Sequence, residues 1–288
     1  MPEHFSINVV STGSVRIRPQ HRRGDGTPML WWLGTSQRWT ESLPINVYVI
    51  RHGGRVILFD AGQDRRSVTD DDYFPGGLAG LLYRRLARFD IEPGDTLVAR
   101  LAELGIQPGE VTTVVLSHLH QDHIGGIAEF PNATLVVSRD EWDAAMAPRS
   151  ELAGFLREHI DQPGLSWDRI SFSALPDAGL APFDEGYALH GDRALTLLPL
   201  AGHTPGSMGL LVRVPGIAPV FLVGDLSYDI HLLDDELVPG AGDRARMVDT
   251  TRRVNVLRRR MPGLVVLAAH DPGAAGALRT AQKDRMGA

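Results

Sequence analysis

Cysteine is absent from the 288-residue chain. That excludes disulfides and thiolate metal ligands, and leaves the redox compartment open. Long apolar runs are absent too: none reaches the roughly 18 residues that a membrane span needs. Positive charge is in deficit, with Lys+Arg 29 against Asp+Glu 35, a net charge of −6 and a pI near 6.0. The longest basic run, Arg258-Arg259-Arg260, sits near the end of an expected helix, where the helix dipole favours cations. Nucleic acid is therefore not expected as a partner. The opening stretch MPEHFSINVV lacks a basic region followed by an apolar core, so no signal peptide is expected and the cytoplasm is the default location. What the chain does have is apolar material. Hydrophobic residues make up 43% of it, enough for one large domain or two fused halves.

Its chemistry concentrates between Val111 and Ile127, which read VTTVVLSHLHQDHIGGI. The apolar run Val114-Val115-Leu116 predicts a buried strand. His118, His120, Asp122 and His123 follow within six positions, and Gly125-Gly126 come next. Each imidazole or carboxylate is costly to bury without a partner. A divalent cation of borderline softness satisfies them together, because imidazole and carboxylate are its preferred ligands. The bland alternative is a solvated histidine-rich loop.

His118-x-His120-x-Asp122-His123 resembles the signature of the metallo-β-lactamase-fold hydrolases. Within that superfamily the chain is most similar to the N-acyl homoserine lactone lactonases, roughly from Leu43 to Asp271. Strand-like runs Leu43–Ile50 and Arg55–Phe59, separated by His52-Gly53-Gly54, predict a hairpin. It closes at Asp60-Ala61-Gly62, which resembles a turn whose Asp supports a metal-binding histidine. Ala61 stands where many relatives carry Thr. Gly202-His203-Thr204-Pro205-Gly206 resembles the loop of a further ligand, His203, and Ser207 stands where many lactonases have another His. Gly224-Asp225 matches the carboxylate that bridges two metals in the family. Tyr228 matches the tyrosine that lactonases place over them; its alternative reading is a rim aromatic. His270-Asp271, after the strand-like Leu264–Ala269, matches the last ligand, and Asp234 through Gly242 resembles an acidic Pro-Gly loop.

The resemblance implies one α/β (α+β) domain over residues 1–288. Its form is a four-layer αββα metallo-β-lactamase-type sandwich with two pseudo-repeated β-rich halves and the site at one edge. It also implies two divalent ions, for which the ligand types suit Zn2+ best. His118, His120 and His203 would hold one ion, Asp122, His123 and His270 the other, and Asp225 would bridge. His120 argues against the di-iron redox members, which carry Glu there. A bridging hydroxide would attack an ester-like carbonyl, Tyr228 would stabilise the oxyanion, and Asp122 would relay a proton to the leaving oxygen. The expected substrates are N-acyl homoserine lactones, hence quorum quenching. Other lactones, aryl esters and phosphotriesters are the alternative on the same site, and a metal-binding module without turnover is the non-enzyme reading. The expected partner is a small-molecule lactone or ester, with a homodimer left open.

Elsewhere, Phe5–Val10 and Val15–Ile17 read as short strands, and apolar spacing at Leu78, Leu81, Leu82 and Leu86 predicts a helix over Leu78–Phe89 inside the segment Gln63–Glu92, read equally as a lid or a packed surface helix. Thr96–Leu104 predicts another helix, stopped by Gly105. Ser138-Arg139-Asp140-Glu141 reads as a capping box, Ser150 as the cap of a helix to Ile160, and Asp243 as the cap of a helix to Met261. Gln121 is placed in the pocket wall. Trp31, Trp32 and Trp39 read as core or edge aromatics, and Asp70-Asp71-Asp72 as a solvated turn. His52 and His190 fall in turns, His159 reads as surface or satisfied, and His4, His21 and His231 as structural or exposed.

Overall fold

Along Val47, Tyr48, Val49 and Ile50 successive side chains point to opposite faces of a strand, and all four are buried. A strand covered on both sides needs a layer above and a layer below. The computed structural model supplies both; it describes residues 5–283, and His4 lies outside the described residues. One sheet contains β1 (Ser6–Ile17), β2 (Leu43–His52), β3 (Arg55–Phe59), β4 (Ala87–Asp90), β5 (Val111–Val115), β6 (Thr134–Ser138) and β7 (Ser166–Ile170), in the order β4-β1-β2-β3-β5-β6-β7. The other contains β8 (Ser173–Ala174), β9 (Glu185–Ala188), β10 (Leu195–Pro199), β11 (Met208–Val212), β12 (Val220–Leu222) and β13 (Val265–Leu267), in the order β13-β12-β11-β10-β9-β8.

Tyr48, Ile50, Ile57 and Phe59 of the first sheet meet Leu197, Met208, Leu210 and Leu222 of the second in a shared core. The outer face of the first sheet packs Val49, Leu58 and Val114 against Leu101 and Trp142. The outer face of the second packs Leu198, Leu211 and Phe221 against Val254 and Leu257. The layering is therefore helix, sheet, sheet, helix, as expected.

The helix Leu97–Glu103 begins where Thr96 Oγ1 accepts from Ala99 N–H, and Asp243 caps Arg244–Arg260 through the N–H groups of Ala245 and Arg246. Three local expectations need correction. Phe5–Val10 and Val15–Ile17 belong to one strand, whose register against β2 shifts between Ser11 and Ser14. The helix starting near Leu78 ends at Leu86, and the chain continues as β4. Ser150 starts only a short turn, Ser150–Ala153, because Gly154 adopts φ +100; a separate turn, Arg157–Ile160, follows.

Strands β3, β5 and β6 run parallel. Strands β12 and β13 are parallel, and β10 shares their sense because both β10 and β12 pair antiparallel with β11. Their C-terminal ends gather at one edge. Backbone bonds from Asn46 N–H to Ala269 O (2.9 Å) and from Met208 N–H to Ser117 O (2.8 Å) stitch the sheets together there. Asp60, His118 to His123, His203, Asp225 and His270 all follow these strand ends. No helix among the described residues is long and apolar enough to cross a membrane.

Candidate metal centre

A strand that ends in a tight loop delivers its next side chains to the sheet edge with little freedom. Loops after β5, β10, β12 and β13 do this here. The structure gathers His118, His120 and His203 in one group, His118, His123 and Asp225 in a second, and Asp122, His123 and His270 in a third, with ligand atoms within 4.8 Å of one another in each. All seven side chains anticipated as ligands therefore meet.

The donor geometry fits a cation. His118 Nε2 and His203 Nε2 each lie 3.1 Å from His120 Nδ1. One imidazole nitrogen carries either a proton or a single lone pair, so it is not an aligned partner for both. A tetrahedral ion about 2.0 Å from each nitrogen holds them roughly 3.3 Å apart and uses all three lone pairs. Asp225 Oδ1 lies 3.3 Å from His123 Nε2 and 3.4 Å from His270 Nε2, while its Oδ2 lies 3.7 Å from His203 Nε2. His270 Nε2 lies 3.5 Å from Asp122 Oδ2. His123 Nε2 and Asp225 Oδ1 are buried without a hydrogen-bond partner among the described residues. Such buried orphans are costly, and a bound cation satisfies both.

The outward nitrogens are mostly pinned. Asp60 Oδ2 accepts from His123 Nδ1–H at 2.9 Å, and Asp60 is itself held by the backbone N–H (2.7 Å) and hydroxyl (3.0 Å) of Ser117. Pro44 O accepts from His270 Nδ1–H at 2.8 Å, and Ala153 O from His120 Nε2–H at 3.1 Å. Ser117 Oγ lies 3.0 Å from His118 Nδ1. These bonds fix the ring orientations, as partners behind a metal-binding histidine do.

Electrostatics point the same way for three of the histidines. Burial, helped by neighbouring imidazoles, holds His118 well below the ordinary histidine value; burial also lowers His203 well below it and lowers His120. Neutral imidazole is the form that offers a lone pair. Burial opposes charge on His123 too, but Asp225 and Asp60 outweigh it and raise that group. Burial likewise opposes charge on Asp225, and His270 and His123 outweigh it, keeping the carboxylate ionised.

A cavity of about 580 Å³ opens onto the cluster, with Asp122, Tyr228 and Gln121 in its wall and Ile17, Phe89, Leu152 and Phe155 on its apolar side. Tyr228 is buried rather than at a rim. Its ring stacks on His270 (5.2 Å, 14°), and its hydroxyl donates to Asp225 Oδ2 at 3.0 Å. Burial and the two nearby Asp carboxylates keep that phenol protonated. Gln121 Oε1 accepts from Gln63 Nε2–H, and Gln63 Oε1 from the Tyr73 hydroxyl, tying the segment Gln63–Glu92 to the ligand loop.

Other expectations divide. His52, His190 and His159 lie outside the ligand groups, bonded or packed to Asp192, Thr113 and Tyr73 respectively; His231 is exposed. Asp70 to Asp72 form an exposed turn, and Trp32 is buried while Trp31 is exposed. His21 takes the structural side of its reading and stands closer to the site than its sequence suggests: it is buried in the cavity wall, 3.3 Å from the Tyr228 hydroxyl, and burial pushes it down to about 4. No local pattern marks it, because its partner is 207 positions away. Glu141 is the second surprise. Its N–H binds Ser138 Oγ, but its carboxylate leaves the helix cap and accepts from Leu119 N–H (2.9 Å), Thr204 Oγ1–H (2.7 Å) and Gly206 N–H (3.0 Å). It clamps the two loops that carry His118, His120 and His203.

Comparison with known proteins agrees with this geometry. Residues 41–283 match the Metallo-beta-lactamase superfamily. The N-acyl homoserine lactonase AttM of Azorhizobium caulinodans is 34% identical over 235 residues, 81% of this chain and 83% of that protein. A solved N-acyl homoserine lactone hydrolase with N-hexanoyl-L-homoserine bound at its catalytic metal center superposes with a TM-score of 0.73 at 22% identity, over 92% of this chain and 93% of that one. The dizinc quorum-quenching lactonase AidC superposes with a TM-score of 0.62 at 15% identity, over 93% and 88%. The chain belongs to the metallo-β-lactamase superfamily and stands among its N-acyl homoserine lactonase relatives.

Proposed function

We propose that the protein is a dinuclear metal-dependent lactonase that opens the ring of N-acyl homoserine lactones. The observation that carries this reading is one juxtaposition: a cavity with an apolar side opens onto a buried His/Asp cluster beside the Tyr228 hydroxyl. His118, His120 and His203 would hold one ion, Asp122, His123 and His270 the other, with Asp225 between them. When bound, two divalent ions, zinc by donor type, supply water acidified toward neutral pH and a Lewis acid for a carbonyl.

The chain's own residues do the rest. Tyr228 donates its hydroxyl proton in a hydrogen bond to the lactone carbonyl oxygen, whose negative charge grows as the carbonyl carbon becomes tetrahedral. As a water oxygen bonds to that carbon and the ring C–O bond breaks, Asp122, at the cavity wall, takes a proton from the water and passes it to the departing ring oxygen. The apolar side takes the acyl chain and keeps water from it. AttM is named for N-acyl homoserine lactones, and the solved relative holds a ring-opened homoserine; both support the substrate class.

Elemental analysis of purified protein combined with proton release from a series of homoserine lactones tests the proposal. Two metal equivalents per chain and acid release are expected. Protein that holds metal but releases no acid from any lactone or ester overturns the enzyme reading. Aryl esters or phosphotriesters turning over far faster than lactones replace the substrate class.

A further inference from the structure

His21 belongs to no motif in the ligand set, yet it sits at the reacting end of the cavity. Its backbone is held on both sides, with His21 N–H donating to Arg18 O and Gly240 N–H donating to His21 O, both at 2.9 Å. The residue is only 7% exposed. Its ring stacks on Trp32 (5.9 Å, 26°) and on His203 (6.5 Å, 15°) and makes a T-shaped contact with Tyr228 at 5.7 Å. Nε2 lies 3.3 Å from the Tyr228 hydroxyl oxygen, and Nδ1 has no hydrogen-bond partner among the described residues.

The phenol has one proton, directed at Asp225 Oδ2, so its oxygen keeps a lone pair free for a donor. A neutral imidazole has one N–H, and only the tautomer with that proton on Nε2 serves the lone pair. We propose that His21 is a positioning residue: its Nε2–H holds the Tyr228 oxygen, so that the phenolic proton can turn from Asp225 to the substrate carbonyl without the ring shifting. A hydroxyl that accepts one hydrogen bond donates the next more strongly. The chain His21 N–H to Tyr228 O–H to carbonyl oxygen therefore strengthens as charge develops on that oxygen. The role rests on the lactonase reading; the His21–Tyr228 contact does not.

Two measurements on the full chain separate these. In metal-loaded enzyme, His21→Phe keeps an aromatic ring beside Trp32 but loses the donor. It is expected to lower kcat about tenfold with KM within about twofold. His21→Gln, whose amide nitrogen reaches the place of Nε2, is expected to recover most of that loss. In a Tyr228→Phe background, His21→Phe is expected to cost nothing further. Unchanged kcat in His21→Phe, or a further tenfold loss in the Tyr228→Phe background, overturns the proposal. The second measurement is imidazole nitrogen NMR on the whole protein, with His21 assigned by its loss in His21→Gln. The Nε2–H tautomer is expected, with resonances displaced by Tyr228→Phe. An Nδ1–H tautomer, or resonances unmoved by that substitution, overturns the contact whatever the substrate proves to be. If the wild type opens no lactone, the substrate reading falls and the spectra alone decide His21.

Discussion

At the inner end of the cavity, the polar side chains leave strand ends and most are tied back to the scaffold: His123 by Asp60, His270 by Pro44, His120 by Ala153, His118 by Ser117. At the outer end, the walls come from the short helices Met29–Thr35 and Gly77–Leu86 and the turn Ser150–Ala153. Leu30, Trp31, Leu78, Leu81 and Leu152 stand on these segments with 48–69% of their surface in water. Burying apolar surface stabilises a fold by about 25 cal/mol per Å². The outer side chains forgo much of that, whereas a buried polar cluster tolerates only the arrangement that satisfies each member. The contrast separates two tasks. The inner end determines which bond breaks, and the outer end determines which molecules reach it.

Breaking the inner end has the largest expected effect. Asp225→Ala removes the carboxylate that faces His123, His203 and His270 together. Elemental analysis is expected to show less than two metal equivalents, and kcat/KM to fall by roughly 10³-fold or more. Full metal content with near-normal turnover would remove Asp225 from the site. Asp60→Ala acts on the proposed ligands only from behind, on His123 directly and on His118 by way of Ser117, and metal affinity is expected to drop about 10–100-fold. Gly154→Ala probes the same dependence from the other side. Gly154 has φ +100, and an added Cβ would lie 2.5 Å from His120 Nε2. A loss of metal affinity in the same range, measured by chelator competition, is expected; unchanged affinity would show that His120 has room to move.

Glu141 sharpens the comparison, because it supports the inner end without facing the cavity. Glu141→Gln puts an amide N–H₂ against groups that all donate, and is expected to destabilise by about 1–3 kcal/mol. Burial pushes the Glu141 carboxyl up to about 7 from an ordinary 4.5. An acid raised on folding binds its proton more tightly in the folded state. Stability from this group is therefore full below the ordinary value and is lost as pH rises toward about 7. Melting of metal-free wild type and Glu141→Gln at pH 5 and pH 8 checks the sign: the wild-type advantage is expected to shrink at the higher pH. An advantage that grows instead would mean the three donors outweigh burial.

The inner end was largely legible in the amino-acid sequence, and the outer end was not. Apolar runs such as Val114 to Leu116 and Val220 to Val223 foretell buried strands, and each ligand follows such a run within a few residues. Pattern and chemistry are then local. His21 and Glu141 escape that logic, because their partners come from loops brought near only by the finished sandwich. The break at Gly154 escapes it too: Ser150 looks like a helix cap, but positive φ four residues on ends the turn. Along Gln63–Glu92 apolar spacing marks a helix without saying what its apolar side faces, and Leu78 and Leu81 face water.

The smallest expected effect belongs to that outer end. Leu152 lines the cavity, yet about half of its surface is in water, at 49%. Leu152→Ser should therefore change stability by no more than about 0.5 kcal/mol, as for an ordinary surface position. If the outer end selects molecules, the same change should act on substrate choice. A methylene buried against apolar surface is worth about 0.8 kcal/mol, close to fourfold in kcat/KM. The ratio of kcat/KM for a long-chain over a short-chain homoserine lactone is expected to fall by about that factor, with melting temperature held. A lowered melting temperature at constant selectivity would reverse the assignment, making the outer leucines part of the scaffold and leaving the choice of substrate to the deeper apolar wall around Phe89 and Phe155.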